Sequence, residues 1–180
     1  MDLKLKRPQG IGRWLQIYQL YMEAFPASER KPFGMIRRMY RKGTTDIWCL
    51  ERSGSFAGIG ITINGPDLIL LDYFAVRKPL RGQGIGAAAL DLLREAYRGK
   101  GFFLEIEAPD RDDPTGIKAR RKAFYLRNGL TDMHVTANLF GVRMELLGRS
   151  CELDFDSYRA FYHDHYNAWA AEHVVRPEED

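Results

Sequence analysis

Apolar residues are unevenly spread along the chain, and their spacing predicts its elements. Leu68-Ile69-Leu70-Leu71, continued by Tyr73-Phe74-Ala75-Val76, is a near-continuous apolar run. Such a run predicts a strand buried on both faces. A basic turn and a glycine-rich loop follow. A helix then starts near Gly84 or Ile85, with Leu90, Leu92, Leu93 and Ala96 as its apolar positions. Upstream, Leu3-Lys4-Leu5-Lys6 alternates like a first strand. Ile11, Trp14, Leu15, Tyr18, Tyr21 and Met22 recur at helical spacing up to Phe25-Pro26. A second helix, with Pro32 in its first turn, reaches Arg41 and stops at Gly43. Thr45–Glu51 and Phe56–Asn64 predict a hairpin turning at Arg52–Ser55, and Asn64-Gly65-Pro66-Asp67 is the next turn.

Beyond the central helix, Gly99-Lys100-Gly101 is a stop, and Phe102–Glu107 reads as a strand with Glu105 and Glu107 on one face. The helical crossover makes this strand parallel to Leu68–Val76. A polar loop leads to a helix over Ile117–Asn128, capped by Asp113 or Thr115. Thr131–Thr136 and Leu139–Leu147 form the last strand pair, joined at Ala137-Asn138. From Phe155 to Val174, opened by Asp154 or Asp156, one helix carries Phe155, Tyr158, Phe161, Tyr162, His165, Tyr166 and Trp169. Seven rings exposed together would make a large apolar patch, so this stripe is expected to be buried. The pattern describes an α/β fold: a mixed sheet of six to seven strands flanked by helices over residues 1–150. Residues 151–180 form a helical extension packed on that domain or on a partner subunit.

The 180 residues are 45% hydrophobic and 28% charged, within the range of one globular domain. A net charge of +3 marks neither a nucleic-acid stripe nor a membrane patch. Arg37, Arg38, Arg41 and Lys42 lack a stacking platform and read as a solvated helix face. The first residues lack the apolar core of a signal peptide and no run of 18 apolar residues occurs, so a cytoplasmic protein is expected. Cys49 and Cys151 have no metal or redox spacing; Cys49, in an apolar segment, reads as a buried thiol. His163, His165 and His173 do not make a ligand set on one helix face. No metal is expected. His134 could reach an acceptor, but a lone strand histidine is more often only hydrogen-bonded.

Chemistry concentrates in Arg81-Gly82-Gln83-Gly84-Ile85-Gly86. Backbone N–H groups at the start of a helix, with Arg77, Lys78 and Arg81 nearby, make an anion site suited to a diphosphate. Two spacings compete. Gly82-x-Gly84-x-x-Ala87 fits a dinucleotide fingerprint, with Glu105 as its ribose acid. That fingerprint wants its first glycine against the strand end, whereas Arg77 to Arg81 intervene here, and a three-strand meander comes first. The other pattern is Ala75-Val76 followed by Arg81-x-x-Gly84-x-Gly86. It resembles the coenzyme A pyrophosphate loop of the GCN5-related N-acetyltransferase (GNAT) superfamily. Arg121-x-x-Phe124-Tyr125-x-x-Asn128-Gly129-Leu130 resembles the second GNAT signature.

The resemblance covers residues 45–148 well and the first 44 loosely, and it carries several implications. The central strands splay at their carboxyl ends, and the pantetheine arm adds there like a strand. Phe74, Ala75, Val76, Arg81, Gly82, Gln83, Gly84, Ile85, Gly86 and Ala87 hold acetyl-coenzyme A. Backbone N–H groups of Phe74 to Val76 polarise the acyl carbonyl. Tyr125 protonates the leaving thiolate, and Phe124 is a core ring. The activity implied is acetyl transfer to an amine by direct attack in a ternary complex. A primary amine is mostly protonated near neutrality, so a base is needed. Glu105 and Glu107 are the candidates, Glu105 acting through water, with Asp72 a weaker one. Glu23, Glu29 and Arg30 lie where the family's helices meet the acceptor, a small molecule or a peptide, with Glu29 and Arg30 the candidates to touch it. A homodimer is a further expectation; nucleic acid and membrane are not expected partners. Two other classes keep the glycine loop: a non-enzymatic acyl-coenzyme A sensor and an NAD-dependent oxidoreductase.

Overall fold

A computed structural model describes residues 2–110, 112 and 116–177. The strand order is β1-β2-β3-β4-β5-β7-β6-β8, an open mixed sheet with helices around it. The chain forms two compact units, and β4 runs from one into the other.

The first unit holds the residues up to Asn64 together with Leu71–Arg98. It contains β1 (Leu3–Lys6), α1 (Gly10–Ala24), α2 (Phe33–Lys42), β2 (Thr45–Arg52) and β3 (Ser55–Asn64). The greater part of β4 (Leu68–Val76) and α3 (Ile85–Ala96) complete it. β2 pairs antiparallel with β1 and with β3. Pro32 stands just before α2 rather than within its first turn, and Gly43 ends that helix in the left-handed conformation. Arg37, Arg38, Arg41 and Lys42 are exposed, as a solvated face requires.

The alternation of β4 builds two cores. Tyr73 and Ala75 pack with Ile17, Leu20, Tyr21 and Ile36 of the first two helices and with Ile47, Ile59 and Ile61. Phe74 and Val76 pack with Ile85 and Ala89 of α3. Leu90 and Leu93 are buried as the sequence spacing requires, but Ala96, in the last turn, is exposed. Cys49 is fully buried, and burial pushes its thiol up to about 11.

A polar network closes one edge of this unit. Arg7 lies 2.5 Å from Asp46 Oδ1, and the Tyr97 hydroxyl donates to Asp46 Oδ2 at 2.7 Å. Trp48 Nε1 donates in turn to Tyr97 at 2.8 Å, beneath the Arg7 guanidinium. Burial alone would raise the Asp46 carboxyl, but the bonds from Arg7 and Tyr97 outweigh it and hold it below the usual range. A depressed folded pKa contributes stability that is present above the unfolded value of about 3.9 and lost as pH falls through the folded one. In urea unfolding, Asp46→Asn should be less stable than the parent at pH 7, and the gap should close toward pH 3. A gap independent of pH would show that the carboxylate's charge contributes nothing.

The second unit holds Gly65–Leu70 and the residues from Gly99 onward. Its elements are the start of β4, β5 (Gly101–Glu107), α4 (Ile117–Arg127), β6 (Thr131–Leu139), β7 (Val142–Arg149), α5 (Phe155–His165), α6 (Ala168–Glu172) and β8 (Val174–Val175). β4 and β5 pair in parallel from Leu68↔Gly101 to Leu70↔Phe103. β5 pairs antiparallel with β7, and β7 with β6. The caps expected at Asp113 or Thr115 lie outside the described residues.

Four expectations are corrected here. The turn between β6 and β7 falls at Phe140-Gly141, not Ala137-Asn138, because both turn residues take positive φ (49° and 83°). Phe140 N–H donates to His173 O at 3.0 Å, which helps hold that turn. The tail is not one helix. Asp154 caps α5 through Ser157 N–H, but Asn167 caps a separate α6 through Ala170 N–H at 2.8 Å. Val174–Val175 then pairs with β6, which brings the sheet to eight strands rather than six or seven. The aromatic stripe is buried only in part: Tyr158, Phe161 and Tyr162 are inside, whereas Trp169 is 60% exposed.

Candidate active site

The glycine loop belongs wholly to the first unit. After Val76 the chain makes a short 3₁₀ turn at Lys78–Leu80, and Arg81 Nε donates back to Val76 O at 3.0 Å. Gly82 and Gly84 both take positive φ (74° and 75°), and Gly84 is the residue that opens α3. Only a residue without Cβ adopts that conformation cheaply. Ala88 N–H donates to Gly84 O at 3.1 Å, so regular helix begins immediately. Among the described residues no side chain caps this N-terminus, and its first turn has no acidic residue. Its leading N–H groups, on Ile85, Gly86 and Ala87, precede the first intrahelical bond, an arrangement that can receive an anion. Ile85 is 1% exposed and roots the loop in the core below.

Positive charge surrounds this turn. Arg77 Nη1 donates to Phe56 O at 3.3 Å, and Arg81 is exposed. Gln83 donates to Pro79 O at 3.1 Å and accepts from Arg52 at the end of β2. Arg52 is an addition that local spacing did not reveal, since it lies 31 residues from Gln83. Replacing Arg81 with alanine should weaken acetyl-coenzyme A binding several-fold at low salt and less at high salt, where screening already reduces its contribution. Calorimetric titrations at two ionic strengths check this. An affinity unchanged at both would remove Arg81 from the site.

The segment Phe74–Val76 lies beyond the last paired residue of β4 toward β5, Leu70. On its other side β3 approaches closely. A Cβ at Gly58 would stand 2.4 Å from Ala75 O, so only glycine fits opposite this segment. The Asp72 side chain just before it is 5% exposed, with Lys31 Nζ 2.6 Å from Oδ1 and no hydrogen-bond partner at Oδ2 among the described residues.

Glu29 and Arg30 lie in the connection between α1 and α2. The Tyr73 hydroxyl donates to Glu29 O at 2.9 Å and accepts from Lys31 N–H at 3.0 Å. Tyr21 donates to Lys31 O at 2.9 Å. Two buried tyrosines, Tyr21 of α1 and Tyr73 of β4, thus hold this connection in place. The Arg30 guanidinium reaches Met22, 2.8 Å from its sulfur, and the Glu29 side chain is exposed.

Tyr125 and the two glutamates belong to the second unit. Tyr125 is 9% exposed, and its ring packs edge-on to Phe124 at 5.2 Å between centroids. Its hydroxyl makes no hydrogen bond among the described residues, and burial pushes its pKa up to about 12. It is a phenol that stays protonated. Glu105 Oε1 accepts from the hydroxyls of Tyr158 (2.7 Å) and Tyr162 (2.8 Å), both on α5. Glu107 lies 3.3 Å from Lys118, which also meets Asp110 at 3.1 Å. Both carboxylates are half-buried on one face of β5, as the alternation predicted. The tyrosine pair over Glu105 was invisible in the sequence, being 53 and 57 residues away. His134 sits in an irregular stretch of β6 at φ 55°, with its ring 88% exposed. Among the described residues no group of three or more histidine, cysteine, aspartate or glutamate side chains could hold a metal, and no helix is long and apolar enough to cross a membrane.

The sequence model of the acetyltransferase (GNAT) family matches residues 14–121, and the chain belongs to that family of acetyl-coenzyme A-dependent acyltransferases. Tyr125 lies beyond the matched residues. Among solved structures, a GNAT-family protein of Bacteroides thetaiotaomicron is 19% identical and superposes with a TM-score of 0.75 over 95% of this chain and 99% of its own. An aminoglycoside 6'-N-acetyltransferase complexed with coenzyme A is 14% identical, with a TM-score of 0.67 over 83% of this chain and 96% of its own. Naa50 of Arabidopsis thaliana, in complex with the bisubstrate analogue CoA-Ac-MVNAL, is 14% identical, with a TM-score of 0.62 over 84% of this chain and 100% of its own. At these identities the likeness is one of fold. No curated protein matches the sequence. Family membership favours acetyl-coenzyme A over a dinucleotide as the coenzyme of this chain.

Proposed function

We propose that the protein transfers the acetyl group of acetyl-coenzyme A to a primary amine by direct attack, both substrates being bound together. The observation that carries this reading is the uncapped N-terminus of α3 behind two left-handed glycines. Its N–H groups receive the pyrophosphate, with Arg81 supplying charge. Gln83 sets the loop's shape through Pro79 and Arg52. The pantetheine arm bonds along Phe74 to Val76, whose N–H groups polarise the thioester carbonyl as charge develops on it.

The amine attacks only as the free base. Glu105 and Glu107 are the carboxylates proposed to take its proton, Glu105 through water, with its orientation set by Tyr158 and Tyr162. As the tetrahedral intermediate collapses, sulfur gains negative charge and Tyr125 donates to it. A phenol of pKa about 12 is a weaker acid than a thiol of about 8.5. Tyr125 therefore supports the departing thiolate chiefly by a hydrogen bond that strengthens with the charge. Glu29 and Arg30, on a connection fixed by Tyr21 and Tyr73, are placed to meet the acceptor.

Calorimetry with acetyl-coenzyme A and NAD, followed by a thiol-release assay with a panel of primary amines, tests this. Saturable binding of acetyl-coenzyme A displaced by coenzyme A and not by NAD, with amine-dependent thiol release, is expected. Binding without release by any amine would favour an acyl-coenzyme A sensor.

A further inference from the structure

Helix α1 buries Ile17, Leu20 and Tyr21 against its own unit. On its other side Ile11 is 80% exposed, Leu15 54%, Tyr18 42% and Met22 42%. These four follow a spacing of four, three and four residues, which keeps them on one line along the helix. It is the spacing of a seam that receives a second helix. The other exposed residues between them, Gly12, Gln16 and Gln19, carry no charge. A solvent-facing helix surface without charge over three turns is unusual in a chain with 28% charged residues.

We propose that this face joins two copies of the chain through antiparallel packing of α1 on α1. The two-fold axis passes between Leu15 and Tyr18, so that Leu15 meets Tyr18 of the second copy and Ile11 meets Met22 of the second copy. Self-pairing sets no like charges against each other along the seam. Charge also selects the direction. Glu23 is the one charged residue among the exposed positions of α1. Antiparallel packing brings it to the other copy's helix N-terminus, where Gln9 provides no side-chain cap and the first turn holds no acid. Parallel packing would set Glu23 against Glu23. Lys78 lies 3.5 Å from Glu23, but both side chains are more than half exposed, so that pair does little to restrain it. Gly10 and Gly12 have open space where a Cβ would stand, which admits the approaching side chains.

Light scattering coupled to gel filtration, over a wide range of concentration, tests the proposal on the full chain. The mass should rise from 20.8 kDa toward twice that value with concentration. Ile11→Lys, at a position too exposed to affect folding, should shift the midpoint at least about tenfold higher. Glu23→Gln should also weaken the dimer by removing the charge that meets the other copy's helix N-terminus; a parallel pairing would instead be tightened, because its Glu23–Glu23 repulsion is lost. A wild-type chain that stays at one-chain mass throughout overturns the proposal and leaves the face to another protein's helix. So does an Ile11→Lys chain that dimerises like the parent, and a tighter Glu23→Gln dimer overturns the antiparallel arrangement. None of these results bears on coenzyme A binding.

Discussion

Tyr125→Phe should lower turnover about 10²-fold while leaving acetyl-coenzyme A affinity nearly unchanged. At 1.36 kcal/mol per factor of ten, that is about 2.7 kcal/mol of barrier. The substitution keeps the buried ring and its edge-on contact with Phe124, so packing survives. It removes a hydroxyl that has no hydrogen-bond partner among the described residues, so no buried group is orphaned by its loss. The deficit should lie in kcat rather than KM, because the bond to sulfur strengthens only as charge develops. Since the hydroxyl ionises near 12, the parent's alkaline pH–rate limb below that value should not be its own. A folded Tyr125→Phe enzyme with parental turnover, measured where chemistry limits the rate, would pass the role to water or another residue.

Gly84→Val should weaken acetyl-coenzyme A binding by an order of magnitude or more. The position has φ 75°, which a β-branched residue reaches only under strain. It also opens α3, so any relaxation of that strain turns the leading N–H groups of the helix away from the pyrophosphate. Two outcomes separate the site from the scaffold. Near-normal circular dichroism with lost affinity is the expected pair. Retained affinity in a folded variant would show that the phosphates bind elsewhere.

Gly84 also shows where sequence was sufficient. The segment from Leu68 to Ala96 could be read directly, because each boundary is set by residues inside it. A doubly buried strand needs an apolar run, and the turn into α3 needs glycine at a left-handed position. Glu105 and Glu107 fell on one face of β5 because alternation alone decides that. What the same reading could not supply was partners. Tyr158 and Tyr162 reach Glu105, Arg52 reaches Gln83, and Lys31 reaches Asp72 from 31 to 57 residues away. Such contacts follow from how strands and helices pack, not from local spacing.

The misplaced elements have local causes of a different kind. Phe140 carries no turn signature, yet it takes positive φ where His173 O accepts its N–H. The division of the tail had a signal that aromatic spacing concealed. Asn167 is a favoured helix-capping residue, and it opens α6 just after α5 ends at Tyr166. A continuous helical stripe of rings outweighed one asparagine in the pattern, and the structure reverses that weight. The helical spacing of Ile11, Trp14, Leu15, Tyr18, Tyr21 and Met22 does not by itself say which positions of α1 are exposed. Only the buried positions Ile17, Leu20 and Tyr21, on the opposite side, show which half of that spacing faces inward.

The measurement that bears most directly on the proposed mechanism is a single-turnover quench with acetyl-labelled acetyl-coenzyme A and an amine that supports thiol release. Direct attack predicts that label leaves the coenzyme and appears on the amine with one rate constant, and that acid-denatured protein carries none at any time. Label on the denatured protein ahead of the acetylated amine would reveal an acyl-enzyme and contradict transfer in a ternary complex.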